Sequence, residues 1–182
     1  MTIIIFDDMS QCTPEEVQRL LPLVSPQRRE QAVRFHHTFG QYTSLKSYCL
    51  LAQALGYNPV FTYNPHGKPL ADDVYFSISH CKAAIAVAVD TQSIGIDVET
   101  VHRASPDLIR RTMNSSETEE ILRSSDPDRA FTTLWTRKEA LFKLLGTGIT
   151  DELPDILTLH PEITLETHTS HDTNYIWTVA HQ

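Results

Sequence analysis

The spacing of apolar residues changes period twice along these 182 residues, and that alternation limits the fold more than any other feature. Phe39, Tyr42, Leu45, Cys49, Ala52 and Leu55 recur every three to four positions, as on one face of a helix. From residue 74 to 79 the pattern alternates instead, and two β-branched runs follow at 84–89 and 94–98. The helical period then returns with Phe131, Leu134, Leu141 and Leu145. Helix-rich and strand-rich stretches therefore occur in each half, which predicts an α+β fold.

Local signals place the boundaries. Thr13-Pro14 opens a helix with Glu16 completing a capping box, and Ser25-Pro26 opens a second. Gly56 ends the long helix; residues 60–62 read as a short strand before the turn Asn64-Pro65-His66-Gly67. Helical signals return at 106–112 and 116–122, and Asp126-Pro127 starts a helix that runs to Gly146-Thr147-Gly148. Strands are expected at 164–167 and 175–180. No internal repeat is legible residue by residue.

Charge and cysteine content exclude several classes. With 15 Lys+Arg against 23 Asp+Glu, the net charge of −8 provides no basic field for non-specific nucleic-acid binding. Cys12, Cys49 and Cys81 are scattered without metal-ligand spacing, so neither a disulfide framework nor a zinc site is expected. The first residues read as a strand rather than a signal peptide, and no apolar run approaches the ~20 residues that span a bilayer. A cytoplasmic protein without membrane contact is the expectation.

Three clusters carry possible chemistry. Asp97 and Glu99 are two apart on a strand, so their carboxylates share a face opposite Ile94, Ile96 and Val98. Such a pair is either a solvated strand end or a cation site, since the two charges repel unless a proton or cation lies between, and all-oxygen ligands suit Mg²⁺. Glu139 and Lys143 stand one helical turn apart, either as an exposed ion pair or, with Lys138 and the glycines after them, as a phosphate-holding group. Gly67-Lys68-Pro69 precedes Ser77, Ser79 and His80, where hydroxyl and imidazole donors either serve the structure or meet phosphate. The remaining histidines, including His36, His37, His168 and His171, read as surface residues.

In order and spacing, Gly67-Lys68-Pro69, Phe76–His80, Ile94-Gly-Ile-Asp97-Val-Glu99 and Trp135-Thr-Arg-Lys138-Glu139-Ala-Leu-Phe-Lys143 resemble the signature of the 4′-phosphopantetheinyl transferases, in particular the monomeric type that activates surfactin synthetase. The resemblance implies a pseudo-dimer of two similar α/β halves, 1–92 and 93–182, with the ligand between them and the metal site in the second. It implies Mg²⁺-dependent transfer of the phosphopantetheine arm of coenzyme A to a serine of an apo acyl or peptidyl carrier protein. Asp97, Glu99 and Glu139 would be the metal ligands, Glu139 also the base, and Lys143 the stabiliser of the phosphate. Lys68, Ser79, His80, Lys138, Arg28 and Ser44 would contact coenzyme A. Gln31 and Thr43 replace basic residues common in the family, which implies a looser hold on the 3′-phosphate unless Lys46 compensates. Ile109, Arg110, Arg111 and Met113 combine basic and apolar character, as either a carrier-docking patch or an amphipathic helix packed on its own core would. A Mg²⁺-dependent phosphohydrolase and a non-catalytic carrier-binding module are the alternatives.

Overall fold

The strand-period segments pair into antiparallel sheets in the computed structural model, which describes residues 1–172 and 174–182. β1 (Thr2–Phe6) is followed by α1 (Pro14–Leu20), α2 (Pro26–Ala32) and α3 (Thr38–Leu55). A small hairpin of β2 (Thr62–Tyr63) and β3 (Pro69–Leu70) leads into β4 (Tyr75–His80) and β5 (Ile85–Asp90). Then come β6 (Ile94–Thr100), α4 (Pro106–Thr112), α5 (Ser115–Arg123), α6 (Pro127–Leu145), α7 (Ile156–Leu159), β7 (Thr164–Thr169) and β8 (Tyr175–His181). One three-stranded sheet has the order β1-β5-β4, the other β6-β8-β7.

Side-chain alternation decides what each face meets. Ile85, Val87 and Phe76 point to α3 and bury Tyr42, Leu45 and Leu51. A fully buried Leu contributes roughly 1.5–3 kcal/mol, so this face is a main source of stability. On the other face of the same sheet, Ala84, Ala86 and Ala88 meet Ile94, Ile96 and Val98 of the second sheet. Small side chains on one sheet let the larger ones of the other seat between them. Beyond the second sheet, Ala140, Leu141 and Leu144 of α6 pack on Ala180 and Ile163. Gly95 makes this last contact unusually close: a Cβ there would lie 1.9 Å from the Ala140 carbonyl oxygen and 2.5 Å from the Leu144 nitrogen.

The boundaries follow the sequence signals with three differences. Thr13 Oγ1 caps α1 by accepting from Glu16 N–H, but the Glu16 carboxylate turns to Arg19 at 2.6 Å instead of closing the box. The strand expected at 60–62 is displaced to Thr62–Tyr63, because Phe61 is drawn into the core between Tyr48 and Phe76. The four-residue α7, anchored by fully buried Ile156, is too short to show a period. No helix among the described residues is long and apolar enough to cross a membrane.

Candidate functional site

The site lies where β4 meets β6. Ser77 and Ser79 alternate with the core residues Phe76 and Ile78, so both hydroxyls face the second sheet. Ser77 Oγ accepts from Ile96 N–H at 3.0 Å, and Ser79 Oγ donates to Asp97 Oδ1 at 2.7 Å. These hydroxyls join the two sheets, and Ser79 also lines the cavity that holds Asp97. Lys143 Nζ completes the junction, 2.5 Å from Asp97 Oδ1 and 2.8 Å from Ser79 Oγ. The i,i+4 pairing of Lys143 with Glu139 is therefore not made; the ammonium crosses to the strand.

Three carboxylates and this lysine line one small cavity of ≈ 270 Å³, together with His80. Asp97 is almost fully buried, and its Oδ2 has no hydrogen-bond partner. Burial, then the neighbouring Asp97 charge, pushes the Glu99 carboxyl up to about 7. The same two causes, in that order, raise Glu139, while Lys143 partly opposes them. Desolvation and then the Lys143 charge lower His80, which stands edge-on to Phe39. No three His, Cys, Asp or Glu side chains among the described residues are grouped tightly enough to hold a metal as they stand. The donor set nevertheless fits a hard cation: all ligands are oxygen, and one buried carboxylate oxygen has no partner.

Two grooves flank the carboxylates. One, of ≈ 480 Å³, is lined by Arg28, Arg34, Phe35, Ser44, Tyr48 and His80. Arg28 reaches Ser44 Oγ at 3.3 Å, lies over the Phe61 ring at 5.0 Å and leaves its Nε without a partner. The second, of ≈ 270 Å³, lies between Lys68, Phe76, Glu139, Phe142, Lys143 and Ile149. Its Lys68 ammonium donates to the backbone carbonyl of Lys143 at 2.5 Å, near the end of α6, where the helix dipole favours a cation.

Two expectations are corrected. Lys138 is fully buried and faces away from the grooves: its three N–H donors reach Glu117 Oε2 at 2.7 Å and the carbonyls of Leu153 and Pro154 at 2.9 and 2.7 Å. With every donor used, it holds α6 to α5 and the 151–154 turn rather than a ligand. Lys46 lies two residues beyond Ser44, on the far side of α3, with its ammonium 4.0 Å over the Phe6 ring. It therefore does not compensate for Gln31 and Thr43. Gln31 itself donates to Tyr63 Oη, and Thr43 Oγ1 to the Phe39 carbonyl. Arg34 and Phe35, which motif spacing did not single out, line the first groove because the chain turns back after α2.

The profile of the 4′-phosphopantetheinyl transferase superfamily matches residues 93–182, from the strand of Asp97 through the helix of Glu139 to the end of β8. A 4′-phosphopantetheinyl transferase of Bacillus subtilis is 32% identical over 147 residues, covering 74% of this chain and 65% of that protein. The 4′-phosphopantetheinyl transferase Sfp of Bacillus subtilis strain 168 is 28% identical over 179 residues, 90% of this chain and 80% of its own length. The L-aminoadipate-semialdehyde dehydrogenase-phosphopantetheinyl transferase of Saccharomyces cerevisiae is 28% identical over 78% of this chain. The chain thus spans slightly less than two thirds of the first relative and 58% of the yeast one. Similarity to the 4′-phosphopantetheinyl transferase superfamily thus extends on both sides of the carboxylate strand.

Proposed function

We propose that the protein transfers the 4′-phosphopantetheine arm of coenzyme A to a serine of an apo acyl or peptidyl carrier protein, acting as a monomer. The observation that carries this reading is the placement of Asp97, Glu99, Glu139 and Lys143 between a groove lined by Arg28 and Arg34 and a second lined by Lys68, Phe76, Phe142 and Ile149. Coenzyme A has matching parts: a phosphorylated nucleotide, a pyrophosphate and a long thiol arm. In this reading residues 1–92 and 93–182 are two halves with the ligand between them.

Asp97, Glu99 and Glu139 would hold Mg²⁺, which when bound neutralises charge on the pyrophosphate oxygens. The chain's own residues do the rest. Glu139 accepts the proton of the incoming serine hydroxyl as its oxygen bonds to phosphorus. Lys143 offsets the charge on the phosphate as the bond to adenosine 3′,5′-bisphosphate breaks. Phosphoryl transfer depends largely on such positioning and charge compensation. Arg28, Ser44, Ser79, His80 and Lys68 line the path of the coenzyme, and Arg34 adds a second guanidinium to it.

Intact-protein mass spectrometry of apo carriers incubated with coenzyme A and Mg²⁺ tests this reading. Expected is a mass gain of one phosphopantetheine; coenzyme A cleavage without a mass gain would indicate a phosphohydrolase, and binding without turnover a carrier-binding module. Lys68→Ala and His80→Ala should each raise the KM for coenzyme A by about tenfold. Steady-state kinetics that leave both KM and kcat unchanged would remove these two from the site.

The carrier surface is proposed at α4 and α5. Ile109 and Met113 contribute to the core with Ile121 and Phe131, so they are less available than the sequence suggested. Arg110 and Arg111 remain exposed, however, and Arg110 lines a groove between α4 and α5 together with Leu122, which is 70% exposed. Carriers acidic around the modified serine suit this mixture. Reversing Arg110 and Arg111 to Glu should weaken carrier affinity and reduce its salt dependence. Identical kinetics at low and high salt would place docking elsewhere.

A further inference from the structure

The turn between β2 and β3 touches the end of α6 through a residue that no motif singled out. Asn64 Nδ2 donates to the Gly146 carbonyl at 2.8 Å, 82 residues away in sequence. Its Oδ1 accepts from His66 N–H and Lys68 N–H, both at 2.9 Å, and its own N–H donates to the Lys68 carbonyl at 3.0 Å. This pattern fixes the amide orientation, because a flipped side chain would aim a carbonyl at a carbonyl and an NH₂ at two N–H groups. The approach is close as well: a Cβ on Gly146 would lie 3.3 Å from Asn64 Nδ2 and 3.2 Å from Lys68 Cδ. Gly146 also has φ +72°, the left-handed conformation that ends α6.

We infer that Asn64 is a positioning residue, which shapes the Lys68-bearing turn and ties it to the helix of Glu139 and Lys143. The groove between Lys68 and Phe142 lies between these two elements, so their separation sets its width. One amide does both tasks: its oxygen organises the turn, and its nitrogen holds the turn to the helix end. Asn64 acts through these elements and need not touch the ligand. The inference rests on the transferase reading for the identity of the ligand.

Asn64→Asp separates the two tasks, since the carboxylate still accepts from the turn but sets a charge against the Gly146 carbonyl. Asn64→Ala removes both. Free protein would be followed by amide hydrogen exchange, coenzyme A affinity by calorimetry, and turnover with an apo carrier. In Asn64→Asp, exchange should accelerate at 144–148 but not at 64–68, the coenzyme A dissociation constant and KM should rise about fivefold to tenfold, and kcat should stay within about twofold. Asn64→Ala should accelerate exchange in both segments. Unchanged exchange and affinity in Asn64→Asp would overturn the inference, as would a fall in kcat and melting temperature with affinity intact. If wild type binds coenzyme A but modifies no carrier, the transferase reading fails, while exchange and affinity still decide the role of Asn64.

Discussion

Exchanging Glu139 for Gln is expected to lower kcat by about 10²-fold or more while coenzyme A binding is largely retained. The substitution keeps the size of the side chain and one ligand oxygen but removes the proton acceptor. Glu139 suits that acceptor role because burial and Asp97 raise its proton affinity, in a cavity that also holds Lys143. Single-turnover rates at saturating Mg²⁺, with coenzyme A affinity measured in parallel, check this. Near-wild-type turnover would mean that solvent or another group takes the serine proton. A collapse of coenzyme A affinity instead would make the residue chiefly a binding group.

The second large effect is expected on stability, from Gly95→Ala. The added methyl would overlap the Ala140 carbonyl, and helix backbone cannot yield as a flexible side-chain tip can. α6 would have to withdraw from β6, opening the contacts of Ala140, Leu141 and Leu144. A loss of at least about 3 kcal/mol is expected, near the upper end for overpacked sites. For a chain of this length that is a fall of roughly 6–12 °C in melting temperature. Thermal unfolding of the variant settles it: an unchanged Tm would show that the helix seats equally well farther out.

What was legible in the sequence followed from local rules. Thr13, Ser25 and Asp126 cap helices because their side chains serve N–H groups three residues on, and the prolines at N1 make the positions unmistakable. Asp97 and Glu99 share a face because strand geometry demands it. The destinations of long side chains were not legible. Lys138 and Glu139 are adjacent, yet their roughly 100° separation around α6 sends one into a buried ion pair and the other to the groove. Only the position of α5 decides which. Likewise Lys143 has a carboxylate one turn back on its own helix, but the strand places a more buried one within reach. Arg34 and Asn64 gain their places from turns that bring distant segments together, which no periodicity encodes.

The fastening of α6 has a mechanical consequence. Near its middle the buried Lys138–Glu117 pair ties it to α5, and Gly95 lets it rest directly on β6. At its end the Leu144 carbonyl accepts from Ser93 Oγ at 3.0 Å, beside the Lys68 and Asn64 contacts. A rod pinned at both heights can neither slide nor roll without exposing a charge. The wall bearing Glu139 and Lys143 is therefore the anvil of the site, and under the transferase reading any adjustment to the phosphorylated nucleotide of coenzyme A falls to the opposite wall. That wall is the short α2 and the exposed Arg34–Phe35 segment behind it, which line the groove on the side away from α6.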